Sequence, residues 1–277
     1  MKLSITKAWD ETSAFVKQEG STLFLIVFAL TVLPGLIMQA VAGRLVGPIP
    51  AARGGTPDLG PLMAAVPILL AMLIPVIILS LWGNLTINLL AMRRETVVGS
   101  AFARAARRIL PLLGATLLFF VAAMIVAFPI LAAAGFGVQA GRFGLVALLF
   151  LALFLLAIFF GVRLMLMSPV AAAEEQGPIG IIRRSWQLTS GHFWRLLGFL
   201  ALLMVVIMVL VIVVGSVGGI LITLVAGQMK PGSLGSFLLQ LLTGILQAVW
   251  ATYFIVMVAR IYAQLSGNSG SAAAVFE

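Results

Sequence analysis

The chain contains no cysteine, and His192 is its only histidine. Without thiolates no disulfide can form, and the cysteine and histidine sets that usually hold zinc or iron cannot be assembled. Charged residues make up only 9% of the chain, whereas a soluble domain carries about a quarter. The sequence is therefore not that of a soluble globular domain.

Acidic side chains are especially scarce. There are eight, namely Asp10, Glu11, Glu19, Asp58, Glu95, Glu174, Glu175 and Glu277. None has paired-carboxylate or metal-ligand spacing inside an apolar run, and the chain lacks both a phosphate-binding P-loop and a serine in a strand–turn–helix elbow. We therefore expect no enzymatic activity, no metal and no cofactor.

What the sequence has in abundance is long apolar runs. They lie at residues 22–43, 62–92, 109–134, 143–167, 196–226 and 237–262. Each reaches the roughly 20 residues that a helix needs to cross a bilayer, and continuous runs are typical of helices rather than of barrel strands. The predicted fold class is all-α, a polytopic membrane protein with six transmembrane helices.

Lysines and arginines are concentrated in alternate connections between these runs. Thirteen of the 17 fall on one predicted side, namely Lys2, Lys7, Lys17, Arg93, Arg94, Arg104, Arg107, Arg108, Arg163, Arg183, Arg184, Arg195 and Arg260. The positive-inside rule places that side, with both chain ends, in the cytoplasm, and we predict a multi-pass membrane protein. The net charge of +9 then indicates attraction to anionic phospholipids rather than to nucleic acid.

A short amphipathic stretch precedes the first, third and fifth runs. The apolar positions follow the helical period, with Ile5, Ala8, Trp9, Thr12, Phe15 and Val16 in the first stretch, Phe102, Ala105 and Ile109 in the second, and Ile182, Trp186, Thr189 and Phe193 in the third. We predict one helical membrane domain over residues 1–265. It would hold three repeats of an interfacial helix plus a transmembrane hairpin, at residues 3–92, 97–168 and 178–264, followed by a flexible tail at 266–277.

Residues 183–198 (RRSWQLTSGHFWRLLG) hold an unusual density of basic and aromatic side chains. Proline favours the first position of a helix and glycine the residue after its end, so Pro178 and Gly191 bound a predicted helix of about 13 residues. A helix this short cannot cross, and we expect it to lie along the membrane interface with its arginines toward lipid phosphates. His192 is then an interfacial anchor, with a proton or ligand role as the alternative.

The same region resembles a known bacterial family. R-L-x-L-x-x-P at residues 163–169, then Glu174 and Gly177, then R-S-W-x-L-T-x-G-x-F-W-R-L-L-G at residues 184–198, is similar to the signature of the membrane domain of glycerophosphoryl diester phosphodiesterases. In relatives with a catalytic half, a soluble barrel follows this domain and hydrolyses glycerophosphodiesters. Because the sequence ends at SGNSGSAAAVFE, we expect the stand-alone form.

The leading hypothesis is therefore a non-enzymatic inner-membrane protein of a lipid- or envelope-linked family, acting as a scaffold or a lipid-interacting module. Anionic phospholipids are the expected partners, while other membrane proteins or a second copy of the chain stay open as further partners. The residues predicted to contact lipid head groups are Arg104, Arg107, Arg108, Arg183, Arg184 and Trp186.

A small transporter, or the membrane subunit of a transport complex, is the second hypothesis. It rests on polar residues that would line a cavity between the second and sixth runs, namely Asn84, Asn88, Gln240, Thr243 and Gln247. Such residues are costly in hydrocarbon unless they face protein or water, and hydrogen bonding between helices is the simpler explanation. An intramembrane lipid-modifying enzyme is the weakest hypothesis, because the sequence shows no nucleophile–base pair.

Arg163 stands near the end of the fourth run, after a long uncharged stretch. A lone arginine at that depth must reach the interface with its side chain or find a partner. The spacing beyond Pro169 predicts a structural ion pair between Arg163 and Glu174, because the planar guanidinium suits one carboxylate. Contact with a lipid phosphate and a ligand-binding role are the alternatives.

Reporter fusions test the predicted topology. Fusions after Gly54 and Gly232 are expected to report the outside of the membrane, and fusions after Gly99 and Gln176 the cytoplasm, because the basic connections stay inside. The measurement is the activity of paired reporters that are active on opposite sides. A cytoplasmic signal at Gly54 would contradict the orientation.

Overall fold

The structure, a computed structural model, describes residues 4–46, 60–92, 95, 97–227 and 233–267. It is 92% helical, and no strand occurs in these ranges. Six of its helical stretches are long and apolar enough to cross a membrane. The predicted all-α fold class with six membrane-spanning helices is therefore confirmed.

Nine α-helices follow one another over the described ranges. They are α1 (Ile5–Val27), α2 (Leu33–Val46), α3 (Gly60–Ala91), α4 (Val98–Gln139), α5 (Phe143–Leu164), α6 (Met167–Ala173), α7 (Pro178–Ser190), α8 (Phe193–Ala226) and α9 (Leu234–Leu265). A five-residue π-helical segment, Phe28–Val32, joins α1 to α2 without a break. The six candidate spans are Ile5–Gly43, Met63–Ala91, Val98–Gln139, Phe143–Ala173, Phe193–Ala226 and Leu234–Leu265.

Two of the three predicted interfacial helices are not separate helices. The first amphipathic stretch begins the continuous span Ile5–Gly43, and the second begins α4. At 1.5 Å per residue, the 42 residues of α4 extend about 63 Å, roughly twice the hydrocarbon thickness. A large part of α4 therefore lies outside the hydrocarbon. The third predicted interfacial helix is separate, as α7, and both its interfacial position and the threefold repeat stay predictions.

The helices form two compact units. One contains the described residues of 1–5, 88–201 and 258–277, and the other those of 6–87 and 202–257. The first therefore includes the end of α3, all of α4 to α7, the start of α8 and the end of α9. The boundary of the predicted membrane domain falls at the end of α9, and most of the predicted tail, 268–277, lies outside the described residues.

In the second unit, small residues let helices approach closely. A Cβ built on Gly83 of α3 would lie 3.1 Å from the Cβ of Leu30, and one built on Gly244 of α9 would lie 3.0 Å from Val32.

The π-helical segment has a local cause in Pro34, which has no N–H and whose ring would clash with the carbonyl of residue 30 in a regular helix. There the N–H of Leu33 bonds to the carbonyl of Phe28 instead.

In the first unit, the break between α5 and α6 also has its cause in a proline. Pro169 excludes a regular helical bond to the carbonyl four residues before it, and α5 accordingly ends at Leu164 before α6 begins at Met167. The chain then becomes extended at Glu174. The short helix α6 and the extended backbone after it place Glu174 and Glu175 between α6 and α7. The end of the first unit that contains these two carboxylates is called its polar end.

The helix predicted between Pro178 and Gly191 is confirmed, and its buried face agrees with the predicted stripe at Thr189 but lies one residue earlier at Ile181 and Ser185. α7 has 13 residues, with Pro178 in its first turn and Gly191 as its C-cap. Its fully buried residues are Ile181, Ser185 and Thr189, whereas Ile182 and Trp186 of the predicted stripe are half-buried. Gly191 has φ −86°, so its backbone does not require glycine.

Close packing between α4 and α7 gives a test of the fold. A Cβ on Gly114 would lie 2.8 Å from Cγ of Pro178, whereas one on Gly135 of the same helix would meet nothing within 4 Å. Gly114→Ala is expected to destabilise the protein by about 1–3 kcal/mol because the proline ring cannot move aside. Gly135→Ala is the matched control. Equal thermal unfolding temperatures for the two variants in detergent would refute this packing.

Candidate functional site

The C-terminal end of α5 is held by α7. Backbone carbonyls in the last turn of a helix have no partner within that helix. The hydroxyl of Ser185 donates a hydrogen bond of 2.8 Å to the carbonyl of Arg163, and the hydroxyl of Thr189 lies 3.4 Å from the same oxygen. Ser185 and Thr189 are both fully buried. Ser185 and Thr189 therefore face inward because their hydroxyls reach the unpaired carbonyl at the end of α5.

Glu174 joins three parts of the unit. Its Oε1 accepts hydrogen bonds from Nε of Arg184 at 3.0 Å and from the hydroxyl of Tyr262 at 2.8 Å. Its Oε2 accepts a bond of 2.8 Å from the side-chain amide of Gln176. Nη1 of Arg108 donates to the Glu174 carbonyl at 3.2 Å. The segment between α6 and α7 is thus tied to α7 and α9 through the carboxylate of Glu174 and to α4 through its backbone carbonyl.

Two further ion pairs lie on or near the start of α4. Nη2 of Arg108 pairs with the exposed carboxylate of Glu175. Nη1 of Arg104 bonds at 3.0 Å to Glu95, which also accepts a 2.7 Å bond from the hydroxyl of Ser100. The hydrogen bond from Ser100, with that from Arg104, lowers the pKa of Glu95 below its usual value. Glu95 therefore stays ionised to lower pH than an isolated glutamate.

The predicted ion pair between Arg163 and Glu174 does not form. Glu174 pairs with Arg184 instead, and Arg163 has no ion pair among the residues that the structure describes. The reason is geometric, because the extended chain at Glu174 directs its carboxylate to α7 and α9 rather than to the end of α5. The linker between α6 and α7 is therefore fixed by an ion pair of Glu174 with Arg184 rather than with Arg163.

Arg163 is enclosed by aromatic rings. Its guanidinium carbon lies 5.0 Å from the ring centroid of Trp186, 5.4 Å from that of Phe193 and 5.5 Å from that of Phe159. All three distances are within the range of about 6 Å for cation–π attraction. Nε and Nη1 of Arg163 are covered and have no hydrogen-bond partner in the part of the chain that the structure describes. Three rings thus stabilise a charge that no carboxylate of the described residues neutralises.

A cleft of about 620 Å³ opens beside this arginine. It is lined by Phe159 and Arg163 of α5 and by residues 190–195, where α7 ends and α8 begins. Nδ1 of His192 is buried there without a hydrogen-bond partner among the described residues. Arg195 and Trp194 are exposed at its edge. A volume of this size is typical of small-ligand sites.

The residues predicted to contact head groups divide into two kinds. Arg104, Arg108 and Arg184 each pair with a carboxylate, whereas Arg107 and Arg183 are exposed and have no ion pair with any described residue. Trp186 packs its ring edge-on against Phe159 at 5.7 Å, so much of it is covered by α5. The lipid contacts themselves stay predictions.

The residues of the predicted polar cavity have several environments. Asn88 is buried, and its amide donates a 3.0 Å hydrogen bond to the hydroxyl of Ser168 in α6. Thr243 is exposed, and its hydroxyl bonds at 2.9 Å to the carbonyl of Leu239 in its own helix. Gln247 is also exposed, while Asn84 and Gln240 are half-buried. Asn88 therefore forms a hydrogen bond between two helices, which was the simpler explanation for these polar residues. The cavity stays a prediction.

Comparison with known proteins finds one family model that matches this region. Residues 141–272 match the family model described as the membrane domain of glycerophosphoryl diester phosphodiesterase. This stretch, slightly less than half of the chain, is similar to that family. The resemblance seen at residues 163–198 is thereby confirmed, and the family range includes Arg163, Glu174, α7 and Tyr262. No curated protein and no solved structure matches the chain.

The sequence did not identify several residues that surround Glu174 and Arg163. Tyr262, one of only two tyrosines, binds Glu174 across 88 positions of sequence. Phe159 is one of many phenylalanines in apolar runs, and nothing in the sequence distinguishes it. Ser185 stands inside the signature between Arg184 and Trp186, and that position was the available signal for its role.

A double-mutant cycle tests the Glu174 network. Glu174→Gln and Arg184→Gln should each lower stability, by about 1–3 kcal/mol, because each change leaves charged hydrogen-bonding partners unpaired. The double variant should recover part of the sum, with a coupling of at least about 0.5 kcal/mol. Arg183→Gln, an exposed neighbour, is the control. Strictly additive losses in detergent unfolding experiments would rule out the pair.

Proposed function

We propose that this integral membrane protein is a non-enzymatic module that binds anionic phospholipids at one membrane surface. The observation that carries the proposal is α7, a basic helix fixed at the end of a membrane-spanning helix with Arg183 exposed. We further propose that the surface is the cytoplasmic face of a bacterial inner membrane, with both chain ends on that side, as the distribution of basic residues predicts.

The length and attachment of α7 support an interfacial position. Its 13 residues span about 20 Å, less than the roughly 30 Å of hydrocarbon in a bilayer. Ser185 and Arg184 bind it to α5 and to the acidic linker. Because its inward face is used for these contacts, the opposite face, which carries Arg183, is left for the surroundings.

The start of α4 supplies a second basic surface. α4 is longer than a bilayer crossing requires, and its first turns contain Arg104, Arg107 and Arg108. Arg104 and Arg108 are engaged by carboxylates, which leaves Arg107 exposed. A basic side chain near an anionic surface contributes about 1 kcal/mol to binding. Arg107 and Arg183 are therefore the two arginines best placed to contact head groups.

A lipid-binding rather than catalytic role agrees with the chemistry of the side chains. No group of three or more His, Cys, Asp or Glu side chains in the described ranges could hold a metal, and Glu174 is engaged by three donors. The family description names an enzyme of glycerophosphoryl diesters, whose glycerol phosphate unit phospholipids also contain. The shared chemistry favours recognition of lipid phosphate.

Lipid retention tests this function. The variant with Arg107→Gln and Arg183→Gln is expected to bind phosphatidylglycerol up to roughly thirty-fold more weakly than the unmodified protein, since each charge contributes about 1 kcal/mol. Native mass spectrometry of the detergent-extracted protein measures the bound lipid. Arg142→Gln, an exposed arginine on the predicted opposite side, is the control. Unchanged retention in the double variant would refute the role of these two residues.

A further inference from the structure

The caged guanidinium of Arg163 has hydrogen-bonding capacity that the protein does not use. Burying a charge is costly unless it is paired and hydrogen-bonded. The three surrounding rings attract the positive charge, yet they accept none of the conventional hydrogen bonds that its N–H groups can donate. Because Nε and Nη1 are covered and Arg163 lines the cleft, Nη2 is the nitrogen left for a bound group to reach.

The rest of the cleft has the same electrostatic character. His192 lines the cleft, although its Nδ1 is covered, and Arg195 is exposed on the first turn of α8. No acidic side chain lines the cleft, and Glu174 is occupied by Arg184 and Tyr262. An anion would therefore meet two arginines, and no carboxylate of the cleft would repel it.

The depth of the cleft matches that of lipid phosphates. The 22 residues of α5 extend about 33 Å, close to the thickness of the hydrocarbon. Arg163 is in the last turn of α5, so a crossing α5 places it at one boundary of the bilayer. Trp194 at the edge of the cleft is 79% exposed, and tryptophans are enriched at head-group level.

Gly191 has no side chain that could fill this cleft. Its backbone conformation, with φ −86° and ψ −5°, is one that any amino acid adopts, so a turn does not explain the glycine. Gly191 lines the cleft, and a Cβ built on it would meet nothing within 4 Å. A larger side chain would therefore occupy ligand space without displacing protein atoms at its base.

We propose that the cleft beside Arg163 binds one phosphate group, with the guanidinium of Arg163 as the central donor and Arg195 as a further contact. A planar guanidinium donates well to phosphate oxygens, and its aromatic cage holds it in position. This inference rests on the proposed lipid-binding function and deepens it, since it assigns one stoichiometric site in addition to the exposed arginines. The phosphate can belong to a lipid head group or to a free anion.

Titration of the full chain in detergent tests the site. Delipidated protein is titrated with phosphatidylglycerol and, separately, with inorganic phosphate, and bound molecules are counted by native mass spectrometry. Arg163→Gln and Gly191→Leu are each expected to weaken the one-to-one complex at least ten-fold. Gly198→Leu is the matched control, because a Cβ there also meets nothing within 4 Å but Gly198 does not line the cleft.

The two titrations identify the source of the phosphate. A complex with phosphatidylglycerol that depends on Arg163 and Gly191 supports the site and assigns it to a lipid. The same dependence seen with inorganic phosphate alone supports the site and assigns it to a free anion. Because Gly191→Leu leaves the caged arginine in place, it remains decisive if Arg163→Gln does not fold.

The site and the proposed function can fail separately. If Arg163→Gln and Gly191→Leu bind both probes as the unmodified protein does, the cleft is not a phosphate site. If the variant lacking Arg107 and Arg183 then loses phosphatidylglycerol, the proposed function stands without the cleft. If the unmodified protein binds neither probe, both proposals are wrong.

Discussion

The last turn of a helix leaves backbone carbonyls without a partner in that helix, and hydrocarbon cannot hydrogen-bond them. At the end of α5 the carbonyl of Arg163 receives the hydroxyl of Ser185, and this bond determines how the polar end of the first unit is arranged. It turns the small polar residues of α7 inward and brings Trp186 over the Arg163 side chain. One short helix, α7, thus hydrogen-bonds the backbone carbonyl of Arg163 and places an aromatic ring against its guanidinium.

Glu174 complements this arrangement from the other side of the same helix. With Ser185 buried against α5, Arg184 is directed to the linker, where Glu174 also receives Tyr262. The scarcity of acidic residues gives this carboxylate its importance, because few other groups in the chain could balance an arginine here. The arginines at this end therefore divide into those that pair with a carboxylate and those that have no ion pair with a described residue.

The sequence predicted those features whose causes are local. The bounds of α7 followed from Pro178 and Gly191, and the six spans followed from continuous apolar runs. Thr189 of the predicted inward face of α7 is buried, whereas Ser185 is buried in place of Trp186, because apolar periodicity gives no reason to bury a serine. The partner of Glu174 was wrongly assigned to Arg163, since proximity in sequence does not reveal the direction of an extended linker. The aromatic cage joins residues 159, 186 and 193 from three helices, which only tertiary packing can show.

The π-helical segment in the first span has a consequence for the length of the chain. A π-turn holds one residue more than an α-turn, and one residue of an α-helix corresponds to a rotation of about 100°. Every side chain after Val32 therefore faces a direction set by that extra residue, including Leu36, which lies against Gly244. Shortening the segment by one residue would turn the following half of the span away from its neighbour. In this helix the number of residues is constrained as strictly as their identity.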